Sequence, residues 1–67
     1  MRYETIEFEP EKFVGKYVKL HHKADIMVEG KLLKIVKNKI LVKLPSGSRL
    51  LFRLTNIKGR LIPWEAK

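Results

Sequence analysis

Apolar and polar residues alternate along most of this chain with the period of two that is typical of β-strands. The alternation predicts a mainly β fold whose strands cover residues 16–22, 26–36, 39–44, 49–54 and 56–62. Upstream of these strands, Pro10 and Gly15 favour the start and the end of one short helical turn. Residues 3–8 alternate as well, and they fit either a short edge strand or an ordered arm.

Two tight turns set the pairing of the predicted strands. Lys37-Asn38 is suited to a two-residue hairpin that pairs Val36 with Lys39, because Asn tolerates a positive φ. Residues 45–48 contain the second turn, for which we expect a three-residue loop. Gly30 lies inside the second strand and predicts a bulge or a sharp bend, which a small barrel needs in order to close.

This pairing divides the two hairpins into a core face and an outer face. The expected cross-strand pairs are Leu33–Val42, Ile35–Ile40, Leu44–Leu50, Val42–Phe52 and Ile40–Leu54. The core face then collects Leu33, Ile35, Ile40, Val42, Leu44, Leu50, Phe52 and Leu54. The outer face collects Leu32, Lys34, Val36, Lys39, Leu41, Lys43, Arg49, Leu51 and Arg53. A loop one residue shorter would place Lys43 opposite Leu50, and we reject it for that reason.

The outer face mixes cations with large aliphatic side chains. A fully solvated wall does not need such aliphatic residues, and a dry core cannot hold the cations because unpaired buried charges are very costly. We therefore expect a surface that contacts a partner, with water at its charges and dry contact at its aliphatic residues.

The charge of the chain is distributed unevenly. Residues 1–11 have a net charge of −3, and the remaining residues have a net charge of +11. We therefore divide the chain into an acidic N-terminal arm, residues 1–12, and a single small barrel domain, residues 13–67. A compact basic domain predicts a polyanionic partner. A highly charged surface of thermophilic type is the alternative interpretation.

The composition argues against several classes of function. The chain has no Cys, so it has no disulfide, no thiol chemistry and no Cys/His ligand set for zinc. His21 and His22 are adjacent on a strand and point to opposite faces, and the few carboxylates suggest no acid/base pair. No apolar run reaches the roughly 20 residues that span a bilayer. We expect a cytoplasmic protein with no metal, no cofactor and no enzymatic activity.

A short helical turn followed by five strongly bent strands resembles the SH3-type small barrels, and the Sm-like proteins are similar in two motifs. Gly30-Lys31-Leu32 is similar to their first motif, and residues 57–62 (IKGRLI) are similar to the second. Residues 13–20 (FVGKYVKL) also resemble the start of the Sm-like subunit of archaeal ribonuclease P. The resemblance implies a five-stranded barrel, RNA binding, and ring-like or partner-dependent assembly. The family's RNA-binding loop carries an Asp that residues 36–39 lack, so its nucleobase pocket is not carried over.

We expect phosphate contacts on the outer face, where clustered cations gain affinity by releasing counterions. Protection of strand edges against aggregation is the alternative role of these charges. Lys58 and Arg60 flank Gly59, where a backbone can approach a ligand closely or a barrel corner needs a glycine. Tyr17 is the best candidate for stacking on an unpaired base. The predicted nucleic-acid-binding residues are Lys34, Lys39, Lys43, Arg49, Arg53, Lys58, Arg60 and Tyr17.

These residues predict a nucleic-acid-binding module that prefers RNA, of the kind found as a small ribonucleoprotein or ribosome subunit. A chromatin-type DNA binder is one alternative, with Leu41 or Leu51 as a wedge in the minor groove. A protein-interaction or assembly module is another, because exposed aliphatic patches often mark an interface. It would use a protein partner or a second copy through Leu32, Val36, Leu41 and Leu51. Trp64 is expected to cap the barrel or to pack on a partner.

Overall fold

The computed structural model describes residues 3–63. These residues form six strands: β1 (Tyr3–Ile6), β2 (Tyr17–His22), β3 (Met27–Val36), β4 (Lys39–Lys43), β5 (Arg49–Arg53) and β6 (Ile57–Pro63). Two 3-10 helices of three residues each, Pro10–Lys12 and Leu54–Asn56, complete the secondary structure of this part of the chain. The predicted mainly β fold is therefore confirmed.

The strands form one antiparallel sheet in the order β1-β6-β2-β3-β4-β5. The sequence predicts five strands, and the sixth is β1, whose Thr5 lies opposite Leu61 of β6. Residues 3–6 of the acidic arm are thus an edge strand of the sheet. The other edge is β5, and within the described residues no hydrogen-bonded ladder joins the two edges.

The helical turn before β2 is a 3-10 turn. Pro10 occupies its first position, and the N–H of Phe13 donates to the carbonyl of Pro10 at 3.0 Å. Gly15 follows with a φ of +87°, a conformation that other residues adopt only with strain. The turn brings Phe13 against the buried core, where it packs beside Phe8.

β3 exchanges its pairing partner in the middle. Residues Met27–Lys31 pair with β2, and residues Lys31–Val36 pair with β4. A Cβ at Gly30 would overlap the carbonyl oxygen of Lys43, so the close approach of the two backbones requires glycine at this position. The bulge predicted at Gly30 lies instead at Leu33, the extra residue between the Leu32–Val42 and Lys34–Leu41 pairs.

The bulge changes which leucine is buried. The core consists of Val18, Leu20, Val28, Leu32, Ile40 and Val42. Leu32 was predicted on the outer face, yet none of its surface is exposed, and Leu33 was predicted in the core but is only half-buried. Both assignments were wrong because strict alternation was carried through a position where the structure inserts one residue.

The β4–β5 hairpin keeps its predicted faces but not its predicted pairs. The observed pairs are Lys39–Arg53, Ile40–Phe52, Leu41–Leu51, Val42–Leu50 and Lys43–Arg49. The loop has the expected three residues, 45–47, and it pairs Leu44 with Ser48 through an N–H···O bond of 2.7 Å. The expected pairs were wrong by two residues, because Leu44 opposite Leu50 leaves five residues between the strands. A shift of two preserves the faces. Leu50, predicted in the core, is 44% exposed because β5 is an edge strand.

No helix in residues 3–63 is both long enough and apolar enough to cross a bilayer. Trp64, the predicted cap, lies outside the described residues. So do residues 1 and 2 of the predicted acidic arm and residues 65–67 of the predicted barrel domain.

Candidate nucleic-acid interface

The outer surfaces of β3, β4 and β5 form one continuous face. We define the basic face as the cations Lys31, Lys34, Lys39, Lys43, Arg49 and Arg53 together with Val36, Leu41 and Leu51. All six cations are exposed. Since residues directly opposite each other in a sheet share a face, the strand register alone places these side chains together.

The hairpin of β4 and β5 arranges its cations in two like-charged pairs. Lys43 lies opposite Arg49 at one end, and Lys39 lies opposite Arg53 at the other. The pairs are separated by four residues along each strand, or about 13 Å. The Leu41–Leu51 pair lies between them, and Leu51 is 58% exposed. The hairpin therefore presents an aliphatic centre flanked by positive charge on both sides.

Lys31 belongs to this face, and it was missed from the sequence. It lies opposite Lys43 of β4, whereas Lys34 lies opposite Leu41 after the bulge. The bulge therefore puts Lys31 and Lys34, three residues apart, on one side of the sheet. The sequence does contain a signal, because strict alternation over KLLK would turn one lysine into the core.

Tyr17 extends the basic face across a fourth strand. Tyr17 lies opposite Lys31, Lys31 opposite Lys43, and Lys43 opposite Arg49, so these four side chains form one row. Tyr17 is 58% exposed, as its predicted stacking role requires. An exposed ring at the end of a row of cations is an arrangement in which a base stacks while the phosphates contact the lysines and arginines.

The charge of the basic face is not neutralised by the described residues. No side chain of its six cations makes an ion pair or a hydrogen bond within residues 3–63. The sequence explains this directly, because no Asp or Glu occurs between Glu29 and Glu65. The summed positive potential is therefore available to an anionic partner.

The neighbouring part of the outer face is ion-paired instead. Lys19 Nζ donates to the Tyr3 hydroxyl at 3.0 Å and lies 3.8 Å from Glu29 Oε2. The hydrogen bond to Tyr3 is the main cause that raises the pKa of Lys19. This pairing separates a charge-balanced half of the face, on β1, β2 and the start of β3, from the basic face.

His21 joins three segments of the charge-balanced half. Its Nδ1 lies 2.8 Å from Thr5 Oγ1 of β1, and its Nε2 lies 3.0 Å from Asp25 Oδ1 in the β2–β3 turn. The hydrogen bond to His21, followed by the charge of Lys58, lowers the pKa of Asp25. His22 points to the opposite face from His21, as the sequence predicts. Its ring packs edge-on against the ring of Phe52, with the two centroids 5.9 Å apart. Residues 3–63 contain no cluster of three potential metal ligands.

Two of the predicted binding residues lie away from the basic face. Lys58 is exposed and is the extra residue of a bulge in β6, where its charge acts on Asp25. Arg60 lies opposite the buried Leu20 and places its guanidinium 4.6 Å from the centre of the Phe13 ring. The β6 strand therefore does not bring these two cations onto the basic face, where the other predicted residues lie.

Gly59, between the two, has a role in strand packing. A Cβ there would overlap the carbonyl oxygen of Ile6 and lie 2.7 Å from Thr5 Cγ2. The missing side chain lets β1 lie close to β6 and lets His21, opposite Gly59, reach Thr5.

The basic face thus offers cations for phosphate, one exposed ring and an aliphatic centre. Its predicted aliphatic set loses Leu32, which is buried, and keeps Val36, Leu41 and Leu51. A scan against protein-family models finds no match for the chain, and neither the curated proteins nor the solved structures give a significant match.

Proposed function

We propose that this protein binds nucleic acid, preferring RNA, by laying the phosphate backbone along the basic face. The observation that carries the proposal is a set of six exposed cations on adjacent strands with no carboxylate to neutralise them within residues 3–63. Like charges directly opposite each other destabilise a sheet. A partner that supplies phosphates removes this repulsion and releases its own counterions.

The preference for RNA rests on Tyr17. Unpaired bases, which are common in the loops and bulges of RNA, stack on exposed aromatic rings, whereas the bases of a duplex are already stacked. The exposed Tyr17 lies in the same row as Lys31, Lys43 and Arg49, so one strand of RNA can contact ring and cations together. The role as a small subunit of a ribonucleoprotein belongs to the same proposal.

We also propose that the sheet is a strongly bent barrel of the SH3 or Sm-like type. Its support is the exchange of partners by β3 at Lys31, together with one bulge in β3 and another in β6. Bulges bend strands and increase their twist. The cytoplasmic location and the thermophilic origin remain predictions from composition.

The exposed Leu51 favours a second candidate, binding to duplex DNA. A leucine that stands between two pairs of cations is suited to entering a widened minor groove while the cations hold both phosphate strands. The same side chain, with Val36 and Leu41, also suits a protein partner. Binding to duplex DNA and binding to a protein partner each predict results in the following assay that differ from those expected for single-stranded RNA.

The test is equilibrium binding of labelled single-stranded RNA and of duplex DNA across a salt series. If all six cations contact phosphates, the logarithm of the binding constant falls with the logarithm of salt with a slope of about −4 for the single strand and about −5 for the duplex. Lys43→Gln and Arg53→Gln should each reduce the slope by about 0.7 to 0.9. The exposed Lys23→Gln, in the β2–β3 turn, removes the same charge away from the basic face and should leave the slope unchanged.

Tyr17→Leu separates the two nucleic acids. It should weaken RNA binding about fivefold or more, since stacking contributes roughly 1–3 kcal/mol per base, and should not affect the duplex. Stronger binding to DNA that depends on Leu51 would move the function to DNA. No binding to either nucleic acid at low salt would refute the proposal and leave the aliphatic centre as a protein contact.

A further inference from the structure

A carboxylate lies beside the exposed ring of Tyr17, where the charge-balanced half meets the basic face. Tyr17 lies opposite Lys31, and the next outer pair along the same two strands is Lys19 and Glu29. Glu29 is therefore the diagonal neighbour of Tyr17, a separation of about 7–8 Å that an aromatic or a long side chain can span. A base that stacks on Tyr17 brings its hydrogen-bonding groups close to this carboxylate.

The Glu29 carboxylate is held only loosely by the protein. Its one polar contact among residues 3–63 is Lys19, whose Nζ lies 3.8 Å from Oε2, beyond the length of a hydrogen bond. Lys19 Nζ is held more closely by Tyr3, because it donates to the hydroxyl at 3.0 Å and lies 4.9 Å from the ring centre. The Glu29 side chain is 36% exposed, so both of its oxygens can accept hydrogen bonds from a ligand.

A negative charge at this position works against phosphate binding. Glu29 stands two residues before Lys31 on β3 and lowers the positive potential beside the ring. A surface that contacts only the RNA backbone gains no affinity from it, because cations supply that affinity. A long, half-exposed ion pair with Lys19 also contributes little to stability. Contact with the base resolves this conflict, since base edges carry N–H donors that phosphates lack.

Guanine is the base whose Watson–Crick edge fits a carboxylate. An ionised carboxylate only accepts hydrogen bonds, and guanine presents two adjacent donors, N1–H and N2–H. Adenine and cytosine each place a ring acceptor beside an amino donor, and uracil has one N–H between two carbonyl groups. Two parallel N–H···O bonds to a charged acceptor are both strong and geometrically specific. Lys19, beside Glu29, is a donor for guanine O6, the next group along the same edge.

We propose that Tyr17 and Glu29 form a subsite for one unpaired guanine of the bound RNA. The base stacks on Tyr17, its N1–H and N2–H groups donate to the Glu29 carboxylate, and Lys19 donates to O6. Lys31, opposite Tyr17, then contacts a phosphate that adjoins this nucleotide. The inference rests on the proposed RNA binding along the basic face and adds base specificity to it.

The test is equilibrium binding of four labelled oligouridine RNAs of equal length, whose central base is guanine, adenine, cytosine or uracil. The RNA with guanine should bind the wild type at least about fivefold more tightly than each of the others, as expected for a two-bond base contact. A fifth RNA with inosine at the centre lacks the N2 amino group and keeps N1–H. It should lose most of the advantage of guanine, because only one of the two hydrogen bonds to Glu29 remains.

Glu29→Gln separates base recognition from charge. The variant removes one acceptor and one negative charge at nearly constant shape, so it should bind the uracil RNA at least as tightly as wild type and lose the preference for guanine. Glu11→Gln is the matched control, because it removes the same charge from an exposed position in the first 3-10 helix. It should leave the ratios among the four RNAs unchanged. Tyr17→Leu should also reduce the preference, since an unstacked base is not held beside the carboxylate.

The possible failures of the guanine subsite and of RNA binding are distinct. Equal affinity of the wild type for the four RNAs, with binding that still weakens in salt and in Lys43→Gln, would overturn the subsite and leave the proposed function standing. So would a Glu29→Gln variant that strengthens binding to all four RNAs by the same factor, which is the effect of charge alone. No binding to any of the RNAs at low salt would refute both the subsite and the proposed function.

Discussion

The bulge in β3 can be tested by comparing two neighbouring leucines. Leu32→Ala removes a side chain that is fully buried opposite Val42, whereas Leu33→Ala trims the half-buried extra residue of the bulge. Truncating a fully buried leucine costs about 3 kcal/mol, from lost burial and from the cavity left behind. A half-buried leucine that adjoins solvent should cost about 1 kcal/mol. The order of these two costs is opposite to the order that strict alternation predicts.

The assay is equilibrium unfolding in urea, followed by circular dichroism. A domain of this size has a total stability of roughly 3–10 kcal/mol, so the Leu32→Ala variant should be marginally folded and its midpoint strongly reduced. Similar m-values for the two variants would show that their midpoints differ because of folded-state stability and not because the compactness of the unfolded chain has changed. If Leu33→Ala costs as much as Leu32→Ala or more, the bulge is misplaced, and Lys31 then does not belong to the basic face.

Two further predictions concern single positions. Gly30→Ala should cost more than about 3 kcal/mol in urea unfolding, because its Cβ overlaps the backbone of Lys43. Gly47→Ala in the open β4–β5 loop should cost only about 1 kcal/mol of backbone strain. Equal costs for the two variants would contradict the close approach of the β3 and β4 backbones at Gly30. Asp25→Asn replaces the carboxylate whose pKa the hydrogen bond to His21 and the charge of Lys58 lower, and leaves a neutral amide that does not titrate. The stability that a lowered pKa contributes is present above the ordinary value of 3.8 and is lost as the pH falls through the lower folded value. The difference in melting temperature between wild type and Asp25→Asn should therefore shrink below about pH 4, and a constant difference would argue against the contact.

The sequence predicts the strands well because period-two alternation is strong and the turns are chemically distinct. The Lys37-Asn38 hairpin pairs Val36 with Lys39 and Ile35 with Ile40 as expected. The residue with the positive φ is Lys37, at 58°, and not Asn38, on which the prediction relied. For β1, the edge strand at residues 3–6, the sequence leaves two interpretations open, because a four-residue strand followed by acidic residues fits an arm equally well. Only its pairing with β6 decides between the two.

The errors arise from features that alternation does not encode. A bulge depends on how two backbones fit across the sheet, and the residues of KLLK indicate it only through the cost of burying a lysine. The exposure of Leu50 depends on the strand order, which makes β5 an edge. Arg60 was assigned to the binding surface by its charge, but it lies opposite Leu20 because strand pairing decides the face.

The basic face should lower the stability of the free protein, and this gives a test that links fold to function. Lys43 lies between two other cations, Lys31 on β3 and Arg49 on β5. Lys43→Glu turns two repulsive cross-strand pairs into attractive ones, each contributing about 0.2–1 kcal/mol. A combined gain of about 1 kcal/mol, within that range, raises the melting temperature at low salt by about 4–8 °C. Lys43→Gln, the neutral control, should give about half of this gain.

The same substitution should weaken nucleic-acid binding, because a carboxylate then stands in the middle of the row that contacts phosphate. Added RNA should raise the melting temperature of the wild type more than that of Lys43→Glu, since a ligand stabilises the state that it binds in proportion to its affinity. The gain in stability should also shrink as salt screens the exposed charges. A Lys43→Glu variant that melts at or below the wild-type temperature at low salt would show that the cations do not repel each other. The basic face would then be an ordinary solvated surface, because a cluster of charges kept for a polyanion must cost stability when the polyanion is absent.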